Sequence, residues 1–193
     1  MRRSAAAAFA ACLLLPGWAP VRADDVTDAF DRARKAYDAG QIAKAREEIG
    51  LAGTLLAQKR VAQLAALLPA APRGWTAKDA TNDAGGAMAM AIVGISAERV
   101  YERGDQRLTL SVIADSPMVA GLATLLRSGL MGMAGNNRVV RIQDETALYD
   151  ESAGSLTMVV DGRILLKGEG RGLALDDLKP FLEAVKLDAL KKL

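Results

Sequence analysis

One boundary constrains this 193-residue chain more than any other feature. Near Pro69 and Pro72 the spacing of its apolar residues changes from every third or fourth position to every second. Upstream, "DAFDRARKAYDAGQIAKAREEIGLAGTLLAQKRVAQLAALLP" repeats small and apolar residues at helical spacing, with Gly40 breaking one run from the next. That pattern predicts a helical hairpin over 24–68, its second helix weakened or bent at Gly50 and Gly53. Residues 69–86, "PAAPRGWTAKDATNDAGG", read as a Pro/Gly linker, and Trp75 in it is the kind of side chain that pins an entering strand.

Residues 87–193 then read as an antiparallel domain. "ERVYERGDQRLTLSVIAD" alternates about Gly104-Asp105, sending Leu108, Leu110 and Val112 one way and Thr109 and Ser111 the other. "NNRVVRIQDETALYDES" offers two short strands about a polar turn. In "GSLTMVVDGRILLKGEG" the pair Asp161-Gly162 suits a type I′ hairpin turn with positive φ at both positions. The end, "LALDDLKPFLEAVKLDALKKL", reads as a helix capped by Asp176 or Asp177, with Pro180 near its first turn. The fold class is therefore α+β: a helical hairpin, then an antiparallel sheet with an inserted apolar helix and a C-terminal helix.

The first 23 residues read as a cleavable secretory signal. Arg2 and Arg3 precede an apolar run over 5–15, and Val21-Arg22-Ala23 sets small residues before Asp24. The run is shorter than the roughly 20 residues a bilayer span needs. Removal of that leader takes away three basic residues, which leaves 22 basic against 23 acidic side chains and turns a net charge of +2 into −1. No nucleic-acid footprint survives. Periplasmic localisation is expected, with no transmembrane segment in the mature chain.

Chemistry is narrowed by what is missing. The chain has no histidine, and its one cysteine, Cys12, lies in the leader. Ser-His-Asp and Cys-His catalysis, histidine-ligated haem and His/Cys zinc sites are excluded, as are disulfides in the mature domain. Asp144-Glu145 and Asp150-Glu151 are adjacent pairs at expected turns, and strand neighbours point to opposite faces, so neither forms a dyad alone. Gly168-Glu-Gly-Arg-Gly172 lacks the Lys-Ser/Thr of a phosphate loop. The chain reads as non-enzymatic and without a cofactor.

The segment 116–135, "SPMVAGLATLLRSGLMGMAG", holds one charge, Arg127. Asp115 or Ser116 can cap a helix with Pro117 at its first position, and Met118, Leu122 and Leu125 then share a face. Three readings stand: a crossover helix packed on the sheet, the wall of an apolar ligand cavity, or a docking surface for lipid or a partner. A second uncharged stretch, "AGGAMAMAIVGISA" (84–97), shares its Met-x-Met and glycine character. Together they suggest an adaptable apolar site lined by Met88, Met90, Ile92, Met118, Leu122, Leu125, Met131 and Met133, with Trp75 at its rim. The same thioethers give a minor alternative, Cu(I) binding.

Ala33, Ala36, Gly40, Ile42, Ala45, Ile49 and Ala52 fall where a tetratricopeptide-type hairpin places small and apolar residues, so 29–56 resembles one such repeat. A solenoid needs about three repeats, and the chain holds no second copy. "VVRIQDETALYDE", the "VVDGRILLKGEG" hairpin and the closing helix resemble exported sheet-plus-helix domains of the PsbP or lipoprotein-sorting type. That likeness implies a meander capped by a helix and nothing about function. The expected function is an exported, non-enzymatic binding protein for a hydrophobic or lipid-like ligand. The alternative is a protein–protein interaction module of the cell envelope, docking through the hairpin of 24–68.

Overall fold

A computed structural model describes residues 24–80, 94–128 and 137–193. Helix α1 (Asp25–Asp38) begins where the Asp24 carboxylate accepts the Val26 N–H at 3.2 Å, with Asp25 and Asp28 in the first turn against the helix dipole. It ends at Ala39, and Gly40, at φ 72°, turns the chain into α2 (Ile42–Leu67). Gly50 and Gly53 do not interrupt that 26-residue helix, which is about 39 Å long.

Seven strands among the described residues form one antiparallel sheet in the order β1-β2-β3-β7-β6-β5-β4. They are β1 (Thr76–Ala80), β2 (Ile95–Arg103), β3 (Gln106–Ala114), β4 (Asn137–Ile142), β5 (Glu145–Asp150), β6 (Ser155–Val160) and β7 (Ile164–Glu169). Two meanders, β1–β3 and β4–β7, meet where β3 pairs with β7. Helix α3 (Pro117–Arg127) lies on the connection between them.

The sheet starts earlier than its residues suggest, because β1 falls inside the stretch read as linker. "TAKDA" shows no apolar alternation because it is an edge strand, paired only with β2 and largely exposed. The expected hairpins are present. Asp161 and Gly162 have φ of 53° and 67°, and pairing resumes at Ile164 after one extra residue, Arg163. The C-terminal run divides into α4 (Leu175–Glu183) and α5 (Leu187–Lys191). Asp177 does cap α4, but from inside its first turn, by accepting the Ala174 N–H at 3.1 Å.

Register sorts the two faces of the sheet. Leu110, Val112, Leu166, Met158 and Ala147 share the inner face and are fully or almost fully buried; Ser111, Lys167 and Thr157 share the outer face and are half-exposed. The inner face is covered by Leu64 of α2 and Leu68 just beyond it, by Leu178, Phe181 and Leu182 from α4, and by Leu187 and Leu190 from α5. Hairpin and sheet thus share one core. Gly168 allows α4 to lie close, since a Cβ there would come within 2.8 Å of the Leu182 side chain. The glycine-rich run 168–172 serves packing at that point.

Candidate functional site

The residues named from the sequence divide sharply. Trp75 is buried in the core, edge-on to Phe181 at 5.1 Å between centroids, with the Arg103 guanidinium 4.5 Å from its ring centre. On α3, Val119 and Ala123 are buried, Leu122 is half-buried, and Met118 (69%) and Leu125 (49%) face solvent. Met88, Met90, Ile92, Met131 and Met133 lie outside the described residues. The structure therefore does not bring Trp75 together with the α3 residues.

Helix α3 does wall a cleft of about 690 Å³, though with Ala123 and Leu126 in place of Met118 and Leu125. Val139 of β4 and Val159 of β6, both on the outer face, line its other side. Its rim is polar: Asp144, Asp161, and a Glu145–Lys191 ion pair at 2.9 Å, which raises the lysine pKa. The Asp150 carboxylate accepts the Ser152 hydroxyl at 2.6 Å and the Ala153 N–H at 3.0 Å; these bonds hold its pKa down and brace a turn. Among the described residues no three of His, Cys, Asp and Glu cluster to hold a metal ion, and no helix is long and apolar enough to cross a membrane.

A second surface lies on the hairpin. Helices α1 and α2 meet through small residues: Val26, Ala29, Ala33 and Ala36 on one, Ala45 and Ala52 on the other. Alanine draws the backbones together and leaves larger neighbours outside the seam. On one flank of the two stripes Arg32 bridges Glu48 at 2.9 Å. Phe30 and Tyr37 of α1, and Ile42, Ile49 and Leu56 of α2, occupy the opposite flanks at 3.6 residues per turn, so they share the other side of the hairpin. All five are exposed, Tyr37 to 67% and Ile49 to 57%. Leu51, also exposed, points elsewhere.

Beside the shared apolar core, polar bonds also fix the hairpin to the sheet. The last carbonyls of α2 have no helical partners. Arg99 on β2 donates to one of them, Ala65 O, at 3.4 Å, and just beyond the helix to Leu68 O at 2.7 Å and Pro69 O at 3.1 Å; Tyr101 Oη donates to Pro69 O at 2.6 Å. Asp79 of β1 bonds the same guanidinium; this holds the Asp79 pKa down and raises that of Arg99. Burial pushes the Tyr101 phenol up to about 12. The clasp closes around the end of α2 and leaves its first half projecting beside α1.

Compared with known protein families, curated proteins and solved structures, the chain matches none. The surface of the hairpin was partly legible beforehand, because Ile42 and Ile49 fell in the tetratricopeptide-like pattern. Phe30, Tyr37 and Leu56 were not singled out, although their spacing of seven along each helix was a readable signal.

Proposed function

We propose that the protein is an exported, non-enzymatic binding module of the cell envelope, whose helical hairpin docks an apolar surface of a partner protein. The sheet domain is its mount. One observation carries this reading: five large apolar side chains lie exposed on one side of the hairpin, while the inner face of the sheet is closed by α2, α4 and α5. A contiguous apolar surface of that kind marks an interaction site. A photo-crosslinker at Ile49 should capture one defined second polypeptide in the native host, and a crosslinker at Lys35, on another side of α1, should not. Equal capture from both positions overturns the reading.

Export is part of the proposal. Cleavage after Ala23 leaves Asp24, the cap of α1, as the first residue, so processing there spares the helix start. N-terminal sequencing of envelope-derived protein should begin at Asp24; a chain starting at Met1, or a lipidated Cys12, counts against it.

The cleft beneath α3 supports a second reading, an apolar or lipid-like ligand. It has the volume of a small-molecule site and an apolar floor of Ala123, Leu126, Val139 and Val159. Leu126→Trp should then abolish binding of an apolar dye with little change in stability. Unaltered dye binding removes this reading.

A further inference from the structure

We infer that the occupant of the hairpin face is an acidic amphipathic helix of another protein; this rests on the docking reading above and adds the chemistry of the partner. Two cations frame the face. Arg34 lies four residues beyond Phe30 on the outer rim of α1, and Arg46 lies three residues before Ile49 on the outer rim of α2. The Arg32–Glu48 bridge sets the antiparallel register of the hairpin. Two residues further along α1 and two back along α2, Arg34 and Arg46 stand at the same level on opposite rims. Both are exposed, and neither has an ion-pair or hydrogen-bond partner among the described residues, whereas Arg32 on the other flank is paired.

An apolar band between two unpaired guanidiniums calls for a ligand that is apolar along its centre and anionic along both flanks. A helix with leucine-like residues on one face and carboxylates beside them meets that description. A Cβ placed on Gly53, between Ile49 and Leu56, would meet nothing within 4 Å, so a helix can come close at that level. Phe30, Tyr37, Ile42, Ile49 and Leu56 supply its apolar contacts.

Two other occupants fit less well. A second copy of this face would set Arg34 and Arg46 against the same two cations, since an isologous contact presents each patch to itself. An anionic membrane is held by basic clusters of about four to eight residues, and the two arginines of this face fall well short of that.

The test uses the full chain purified from its own host. A library of helix-forming 18-residue peptides, leucine on one face and Glu, Gln or Lys varied on the flanks, is selected against it. Glu is expected on both flanks of the selected peptides. Arg34→Glu/Arg46→Glu should weaken them by about tenfold or more while improving Lys-flanked peptides, and Ile49→Asp should abolish binding. Unchanged thermal unfolding of the double variant shows that it remains folded. Selected peptides without a charge preference that still require Ile49 overturn the acidic helix and leave hairpin docking standing. No binder, or binders indifferent to Ile49→Asp, overturns both. Ile49-dependent sedimentation with phosphatidylglycerol vesicles assigns the face to a membrane, and an Ile49-dependent dimer in analytical ultracentrifugation assigns it to a second copy; either result overturns the inference.

Discussion

The two halves of α2 both carry large apolar residues at helical spacing and have opposite fates. From Ile42 to Leu56, Ala45 and Ala52 pack on α1 while Ile42, Ile49, Leu51 and Leu56 stand in solvent; toward the C-terminus Leu64, and Leu68 just beyond the helix, enter the core of the sheet. The difference arises from what each half meets. The first half meets a helix whose contact stripe is Val26 and three alanines, which buries little side-chain volume and draws the backbones close. The second half meets the sheet at β2, where Ala97 and Tyr101 enter one core with Leu64 and Leu68 and leave room for full leucine side chains. Helical spacing alone cannot tell these cases apart. The partner's side chains decide what is covered.

The contrast is broken most forcefully at Leu64, which is fully buried. Leu64→Ala removes packing at the joint of hairpin and sheet and should cost about 2–5 kcal/mol, read as a fall in the urea midpoint. Leu56→Ala, two turns earlier, should stay within about 0.5 kcal/mol because Leu56 is already wet. Equal losses at the two positions would mean that the first half of α2 is as covered as the second.

Much of this organisation was legible in the sequence, and what was missed has physical causes. The change of period at Pro69, the Gly104-Asp105 and Asp161-Gly162 turns and the α+β class all follow from local spacing and turn chemistry. Edge strand β1 escaped because a strand paired on one side needs no buried face, so "TAKDA" carries no alternation. Trp75 reads from the sequence both as the pin of an entering strand and as the rim of an apolar site; Phe181, more than a hundred residues away, makes it core and decides for the pin. The outward turn of Met118 and Leu125 has a similar origin. Helix α3 is apolar on most sides, so only the sheet beneath it decides that Val119 and Ala123 go in. The clasp was likewise invisible, since Arg99 and Tyr101 reach carbonyls some thirty residues earlier.

That clasp yields the next effect in size. The neutral Tyr101 phenol donates to Pro69 O at 2.6 Å, and burial pushes its pKa from 10.0 to about 12. The folded state therefore holds this proton more tightly than the unfolded chain. The resulting stability is whole below pH 10 and is lost as the pH climbs toward 12, by up to about 2–3 kcal/mol. Tyr101→Phe should lose about 1 kcal/mol at neutral pH through the missing hydrogen bond. It should also flatten the alkaline fall, seen by comparing urea midpoints of the two proteins between pH 9 and about 12. Parallel curves would show that the joint does not depend on this proton.

The smallest expected effect tests the exposed half most directly. Ile49→Ser exchanges an apolar side chain that is 57% exposed for a polar one of similar helix propensity. Because little apolar area leaves the interior, the urea midpoint should move by no more than about 0.5 kcal/mol in either direction. The same substitution should weaken partner capture strongly, since Ile49 sits between Arg46 and Leu56 at the middle of the apolar face. Stability and binding thus separate at this residue, whereas at Leu64 they fall together. A loss above 1 kcal/mol for Ile49→Ser in the isolated protein would show that the protein itself covers this side chain in solution, and the hairpin face would then be part of the core.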